Sequence, residues 1–340
     1  MIKTLRKIIT VVLFLVPVVF ISCFFLYPIT AILWNGLQSQ DHLNQLTEVL
    51  RAPRSQKAIW FTFWQATIST VITILVALPS AALISKMKKR SRKWVRAAIT
   101  VPFVLPTIVV AGAFEAVFKQ LGIDRGPLSL HHTSWAIILA HVFFNYAVVA
   151  RTVGSFWSGL DYRVEEQARL LGANKWQAFW QVTFPALKPA IYASAVITYL
   201  FSFTSFGIIL VLGGPRKATL ETEIYRYAIT RSDFQSASSL ALLQLIAVLL
   251  LIIVSTRLER GKPAPKSISY GSSEQFSLKF RLTNWTFVSM FLGGPILTLF
   301  LRSFSVGDGY GISHYQALAY RVPQLPATAL SAILNSLIFA

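Results

Sequence analysis

Any chemistry in this 340-residue chain must come from few side chains, because only 13% of its residues are charged while 54% are hydrophobic. The stretch GGPRKAT at 213–219 carries glycines and a lysine, but not at the GxxxxGK[ST] spacing that cradles phosphates. That excludes nucleotide binding by this device. No HExxH occurs, and His131 and His132 are neighbours without a carboxylate or thiolate cluster, which reads as a turn rather than a metal site. Cys23 is the single cysteine, so an intramolecular disulfide, a CxxC redox pair and a thiolate zinc cage are all excluded. No Ser, His and Asp grouping stands out. The reading is of a protein that is not an enzyme, with no catalytic residue, metal or cofactor.

What remains is polar residues set inside apolar runs, where they are costly and usually face a bundle interior or a cavity. Glu115 is one such carboxylate. His141 and Asn145 stand at i and i+4 and so share a helix face, with Gln65 and Gln244 in other runs. These five are candidate lining for a translocation path. They equally suit hydrogen bonds that hold helices together.

The elements that must position them follow from hydropathy. A mean hydropathy of +0.58 is too apolar for a soluble domain of this length. A helix needs about 20 mostly apolar residues to cross a hydrocarbon core of roughly 30 Å. Such runs fall near 8–34, 58–85, 97–118, 134–153, 190–212, 237–256 and 285–303, which predicts an all-α polytopic transmembrane bundle. An eighth run, ATALSAILNSLIFA, ends at Ala340 short of a crossing and reads as a cut-off span. Prolines 17, 28, 79, 102 and 106 predict kinks. The apolar run continuing past Cys23 to Trp34 is too long for an ordinary signal peptide.

The net charge of +19 is distributed as a topology signal. With Lys3, Arg6 and Lys7 placed in the cytoplasm, inside segments hold 21 of the 32 Lys and Arg residues. The densest of them, KMKKRSRKWVR at 86–96, could pass for a nucleic-acid or anionic-lipid patch. Wedged between two spans, it reads as an orientation signal, and no nucleic-acid partner is expected. Outside loops are expected at 35–57, 119–133 and 213–236. The segment 257–284 is the one long cytoplasmic linker, rich in Pro, Gly and Ser. It divides the chain into a six-span unit at 1–256 and the start of a second unit at 285–340. Ile8 precedes Phe61 by 53 residues and Trp285 precedes Asn335 by 50, a spacing that hints at a duplicated unit.

One cytoplasmic stretch is unlike the rest: VEEQARLLGANKWQAFWQVTFPALKPA, between the fourth and fifth runs. Asp161 is the expected N-cap, and Glu165 and Glu166 suit the positive end of a helix. Val164, Ala168 and Leu171 then make one apolar face opposed to Arg163, Glu166 and Arg169. A break is expected at Gly172, and then a second short helix with Trp176, Phe179 and Trp180 on one side. That helix should stop before Pro185, because proline restricts the residue ahead of it. Two short helices bent at a glycine suit a groove on a cytoplasmic partner. They equally suit the inner membrane surface.

The same stretch resembles the EAA motif of permease subunits of binding-protein-dependent ABC importers. Glu166-Gln167-Ala168 is followed after three residues by Gly172, then after nine by Val182, and then by Phe184-Pro185. Gln167, Val182 and Phe184 depart mildly from the usual Ala, Ile and Leu. FTFWQATIST, AHVFFNYAVVAR and the stretch from Ser202 to Gln244 are similar to thiamine and ferric-iron importer permeases, a likeness covering about 55–256. The resemblance implies a type-I importer fold, with the loop at 161–190 seating on a cytoplasmic ATPase dimer through Glu166, Ala168 and Gly172. It implies an extracytoplasmic binding protein and a second permease half as partners, and thiamine or ferric iron as cargo. The location implied is the inner membrane of a bacterium. It also implies a second EAA loop beyond the present chain. A secondary transporter, a membrane enzyme or an inactive fragment are the alternatives; a secondary transporter would need no such cytoplasmic knob.

Overall fold

In the computed structural model the described residues are 2–37, 42–259, 276–307, 309–321 and 327–339. Most of the expected linker, 260–275, lies outside them. The chain begins with α1 (Ile2–Ile21), which passes through a π-helical turn at Ser22–Leu26 into α2 (Tyr27–Leu37). Then come α3 (His42–Arg51), α4 (Pro53–Ser85), α5 (Lys89–Val104), α6 (Thr107–Gln120) and α7 (Ser134–Trp157). After two short helices, α8 (Arg163–Leu170) and α9 (Lys175–Ala178), come α10 (Phe184–Phe203), α11 (Gly207–Leu212), α12 (Leu220–Tyr225) and α13 (Phe234–Glu259). Beyond the linker stand α14 (Leu278–Ser303), a two-residue antiparallel pair of β1 (Ser305–Val306) and β2 (Gly309–Tyr310), α15 (Ser313–Gln316) and α16 (Ala329–Phe339). The expected all-α bundle is found.

Among the described residues, six helices are long and apolar enough to cross a membrane. The third expected span, 97–118, is instead the pair α5 and α6, bent by 92° at Leu105–Pro106. Pro106 holds Leu105 in extended backbone (φ −67°, ψ 140°), so the ladder stops rather than kinks. The fifth span also differs from 190–212. It is a continuous helical run from Lys175 to Phe203, and α11 is a separate short helix behind a break at Thr204–Phe206.

α7 is the hub, with α4, α10, α5, α6 and α11 packed on it. The α4 face that meets it is made of small and hydroxylated residues, among them Ala66, Ser69, Thr73, Ala77 and Ser80. Its opposite face exposes Trp60, Trp64, Val71 and Leu75. This polarity is the reverse of a soluble helix, because lipid accepts bulky apolar groups while close helix contact needs small ones. Thr62, Thr70 and Thr73 return their hydroxyls to the carbonyls one turn back, which satisfies these three donors within the helix. At Gly154 of α7 a Cβ would lie 3.1 Å from the Ala81 carbonyl oxygen and 3.2 Å from Ile84 Cγ2.

α14 packs on α6, α4 and α5, and its Val288 and Leu292 join the core beside Phe143. Asn284 bolts it there: its Nδ2 donates to Ser80 Oγ at 2.8 Å, and Tyr146 donates to the same oxygen at 2.5 Å. α14, which follows the expected linker, is thus seated on the helices that precede it. Residues 11–27, by contrast, expose nearly every large apolar side chain, Phe14 at 72% for one.

Gly154→Val should lower thermal stability in detergent by about 1–3 kcal/mol through overpacking. Gly112→Ala, whose new methyl would meet nothing within 4 Å, should leave it unchanged or slightly raised. A differential scanning measurement on the two variants checks this, and equal behaviour would contradict the proposed closeness of α4 and α7.

Candidate functional site

The helix–glycine–helix element is present. α8 starts after Tyr162 rather than being capped by Asp161, whose carboxylate accepts instead from the Arg163 backbone N–H at 3.0 Å. Its C-terminus closes with paired reverse bonds, Gly172 N–H to Arg169 carbonyl (3.0 Å) and Ala173 N–H to Ala168 carbonyl (3.1 Å). That closure needs left-handed backbone, and Gly172 supplies it at φ +96°. α9 opens with a capping box that sequence reading passed over: Asn174 Oδ1 accepts from Gln177 N–H and Gln177 Oε1 from Asn174 N–H, both at 2.9 Å.

The second helix does not end before Pro185. It runs through a π-helical turn at Phe179–Thr183, in which Phe184 N–H reaches back to the Phe179 carbonyl, and on into α10. The wide turn absorbs the bond that Pro185 cannot make, so the proline sits in the first turn of α10, where its missing N–H is harmless. One contact braces this element internally and another ties it to the bundle. Thr183 donates to Glu165 Oε2 at 2.7 Å, joining α8 to the π turn, and Phe179 packs on Trp157 at the end of α7 with ring centroids 6.0 Å apart.

Glu166, Gln167, Gly172 and Pro185 are exposed, and Ala168 and Val182 half-buried. Around them Val164, Leu170, Leu171 and Trp176 project apolar side chains, Leu171 with 89% of its surface open. Between α8 and α9 lies a groove of about 620 Å³ edged by Glu166, Arg169 and Lys175. An apolar knob with acid and base at its rim is the kind of exposed patch that protein or membrane contacts use.

Three of the five intramembrane candidates meet. Gln65 donates to the Ser202 carbonyl (2.8 Å), Asn145 to the Ser202 hydroxyl (3.2 Å), and His141 Nδ1 pairs with Ser69 Oγ (3.2 Å). This seam links α4, α7 and α10. Gln65 Oε1, Asn145 Oδ1 and His141 Nε2 stay buried without a hydrogen-bond partner among the described residues. Glu115 is half-buried on α6, outside the seam. Gln244 is elsewhere too, donating to Glu221 Oε1 at 2.8 Å.

At the far end of the bundle the segment 213–236 is anchored by a residue that sequence reading missed. Glu223, 1% exposed, accepts from Arg54 of α4 and from Arg226 Nε, each at 2.9 Å. The Leu220 N–H donates to Thr62 Oγ1 at 2.9 Å. His132 lies against Gly214, where a Cβ would come within 2.5 Å of its ring, so this histidine packs two loops together. Among the described residues no group of three or more His, Cys, Asp or Glu could hold a metal ion.

Residues 74–260 match the family described as "Binding-protein-dependent transport system inner membrane component". The chain belongs to this family. Among related proteins, the thiamine transport system permease protein ThiP of Haemophilus influenzae is 26% identical over 316 residues, 88% of this chain and 56% of that protein. The molybdenum transport system permease protein ModB of Mycobacterium tuberculosis is 30% identical over 63% of this chain and 83% of its own length. The sulfate transport system permease protein CysT of Escherichia coli is 26% identical over 68% and 86%. This member of the family therefore spans little more than half the length of the thiamine permease it matches. Among solved structures, a chain of a bacterial ABC transporter involved in the import of the acidic polysaccharide alginate superposes with a TM-score of 0.62 at 17% identity, covering 76% of this chain and 97% of that one. The fold is that of the transmembrane subunits of type-I ABC importers.

Burial pushes the Glu221 carboxyl above its ordinary 4.5, and the bond from Gln244 offsets part of that rise. Its ionisation therefore costs stability at neutral pH. Glu221→Gln, followed by thermal unfolding against pH, should stabilise the protein most above the raised value. The gain should vanish as pH falls through 4.5, where wild type is protonated in both states. A constant gain at every pH would rule out this origin.

Proposed function

We propose that this chain is the permease of a binding-protein-dependent ABC importer, with the element at 161–190 as its contact to a cytoplasmic ATPase dimer. The carrying observation is the exposed helix–Gly172–helix knob, whose second helix continues without interruption into α10. In this reading the chain binds no nucleotide. ATP closes the paired ATPases, the knob follows their surfaces, and the Lys175–Phe203 rod carries that movement to the Ser202 seam. A ligand can shift such an equilibrium only by its differential affinity for the two states. The unpaired amide oxygens of Gln65 and Asn145 and the unpaired Nε2 of His141 support a second arrangement in which they gain partners, and these residues, with Glu115 and Gln244, are the proposed path lining.

The N-terminus is placed in the cytoplasm of a bacterial inner-membrane protein, on the charge distribution given above. The binding protein then docks at the 213–236 side, and a second permease half completes the path beyond α14. Thiamine is the proposed cargo, because similarity to the thiamine permease extends over 88% of the chain, past the linker, whereas that to the molybdenum permease covers 63%. Ferric iron would call for a set of hard oxygen donors.

Gly172→Pro and Glu166→Lys should abolish cargo uptake in cells while leaving membrane insertion and expression at wild-type level, with ATPase co-purification reduced in both. Normal uptake with normal co-purification would discard the coupling role. Uptake by wild type that persists without any ATPase would favour a secondary transporter.

A further inference from the structure

The basic segment at 86–96 does more than orient the chain. Along α5, with Arg151 of α7 at its edge and at the end of the bundle that carries α8, an open cavity of about 1210 Å³ is lined by Lys89, Arg90, Arg92, Lys93, Arg96 and Arg151. No carboxylate lines it. Arg92 donates to the Ser85 and Met87 carbonyls (3.1 and 2.8 Å) and Arg151 to the Thr100 hydroxyl (3.1 Å), neutral acceptors that hold the guanidinium groups without neutralising them. Among the described residues none of the six cations pairs with an acid.

Two physical facts make this arrangement unfavourable unless an anion completes it. Like charges crowd a wall of low polarity. Lys89, Arg90 and Arg92 also occupy the first turn of α5, where the helix dipole disfavours cations, and Lys88 gives no side-chain cap to the free N–H groups there. An orientation signal needs only positive charge between two spans. It does not need Arg151, brought from a different helix 55 residues after Arg96, to share the same cavity.

Its apolar wall is the continuing face of the same helix, Ala97, Val101 and Val104, the last 75% exposed. From Arg96 to Val104 the helix rises about 12 Å, at 1.5 Å per residue. A free oxyanion would satisfy the arginines and leave this wall uncovered. A ligand with an anionic head and a hydrocarbon tail matches both halves.

We propose that this cavity is a binding site for an anionic phospholipid, its phosphate among Arg92, Arg96 and Arg151 and an acyl chain along Val101 and Val104. Guanidinium groups match phosphate oxygens in paired bonds, and anionic headgroups favour clustered Arg and Lys at the membrane surface.

The test uses the purified full chain in detergent, with native mass spectrometry and thermal unfolding after adding phosphatidylglycerol, phosphatidylcholine or inorganic phosphate. Wild type should retain phosphatidylglycerol over phosphatidylcholine and gain stability from it. Arg96→Gln and Arg151→Gln should each cut that preference roughly fivefold, the equivalent of about 1 kcal/mol. Arg125→Gln, in an exposed loop at the other end, should keep it. Equal retention of the two lipids by wild type overturns the proposal even if the arginine variants fail to fold. So does an unchanged preference in those variants, or the same stabilisation by inorganic phosphate alone, which would make the ligand a soluble oxyanion.

Discussion

The closeness of α4 and α7 sets the rest of the structure. Where Gly154 meets the Ala81 backbone, no side chain separates the helices, and the flanking residues Ala77 and Ala150 are as small as packing allows. In lipid no hydrophobic force draws two helices together, so contact of this kind, with hydrogen bonds across it, must do so. Ser69 and His141 meet because the backbones are near, and Tyr146 reaches Ser80 for the same reason. Asn284 donates to the same Ser80 oxygen, so α14 is bonded to α4 at the point where Tyr146 of α7 also meets it.

The same pair fixes the stage on which the helix–glycine–helix element stands. Trp157 ends α7 and receives Phe179, while Thr183 ties the π turn to Glu165. A loop with slack would absorb a push, whereas the run from Lys175 to Phe203 is one helical body. Its two ends are the knob and the Ser202 seam, so a protruding surface and polar groups buried among three helices belong to one helical run.

Charge is handled differently at the two ends. The buried carboxylate of Glu223 is paired with Arg54 and Arg226, as a buried charge must be. Around Arg96 and Arg151 the cations converge with no acid among them. Both sets are joined across long stretches of chain, Arg54 to Glu223 over 169 residues, so hydropathy along the chain carries no trace of either.

Local properties were readable from residue order. Mean hydropathy over about 20 residues gave five of the seven expected spans, Gly172 gave the break in the knob, and i and i+4 spacing put His141 and Asn145 on one face, because each depends only on neighbours a turn or two away. The same local rules misjudged two prolines. Pro106 ended a helix that was expected to bend, and Pro185 was absorbed by a π turn braced by packing on Trp157 and the Glu165 bond. Gln244 and Glu115 looked equivalent to Gln65 as intramembrane polar groups, yet only Gln65 joins the seam. Sequence by itself determined that this is a helical membrane protein with one exposed bent element of a transport family. Tertiary structure alone decided which polar groups meet, since a hydrogen bond or a shared cavity is set by the distance between helices, and that distance is written in contacts far apart in the chain.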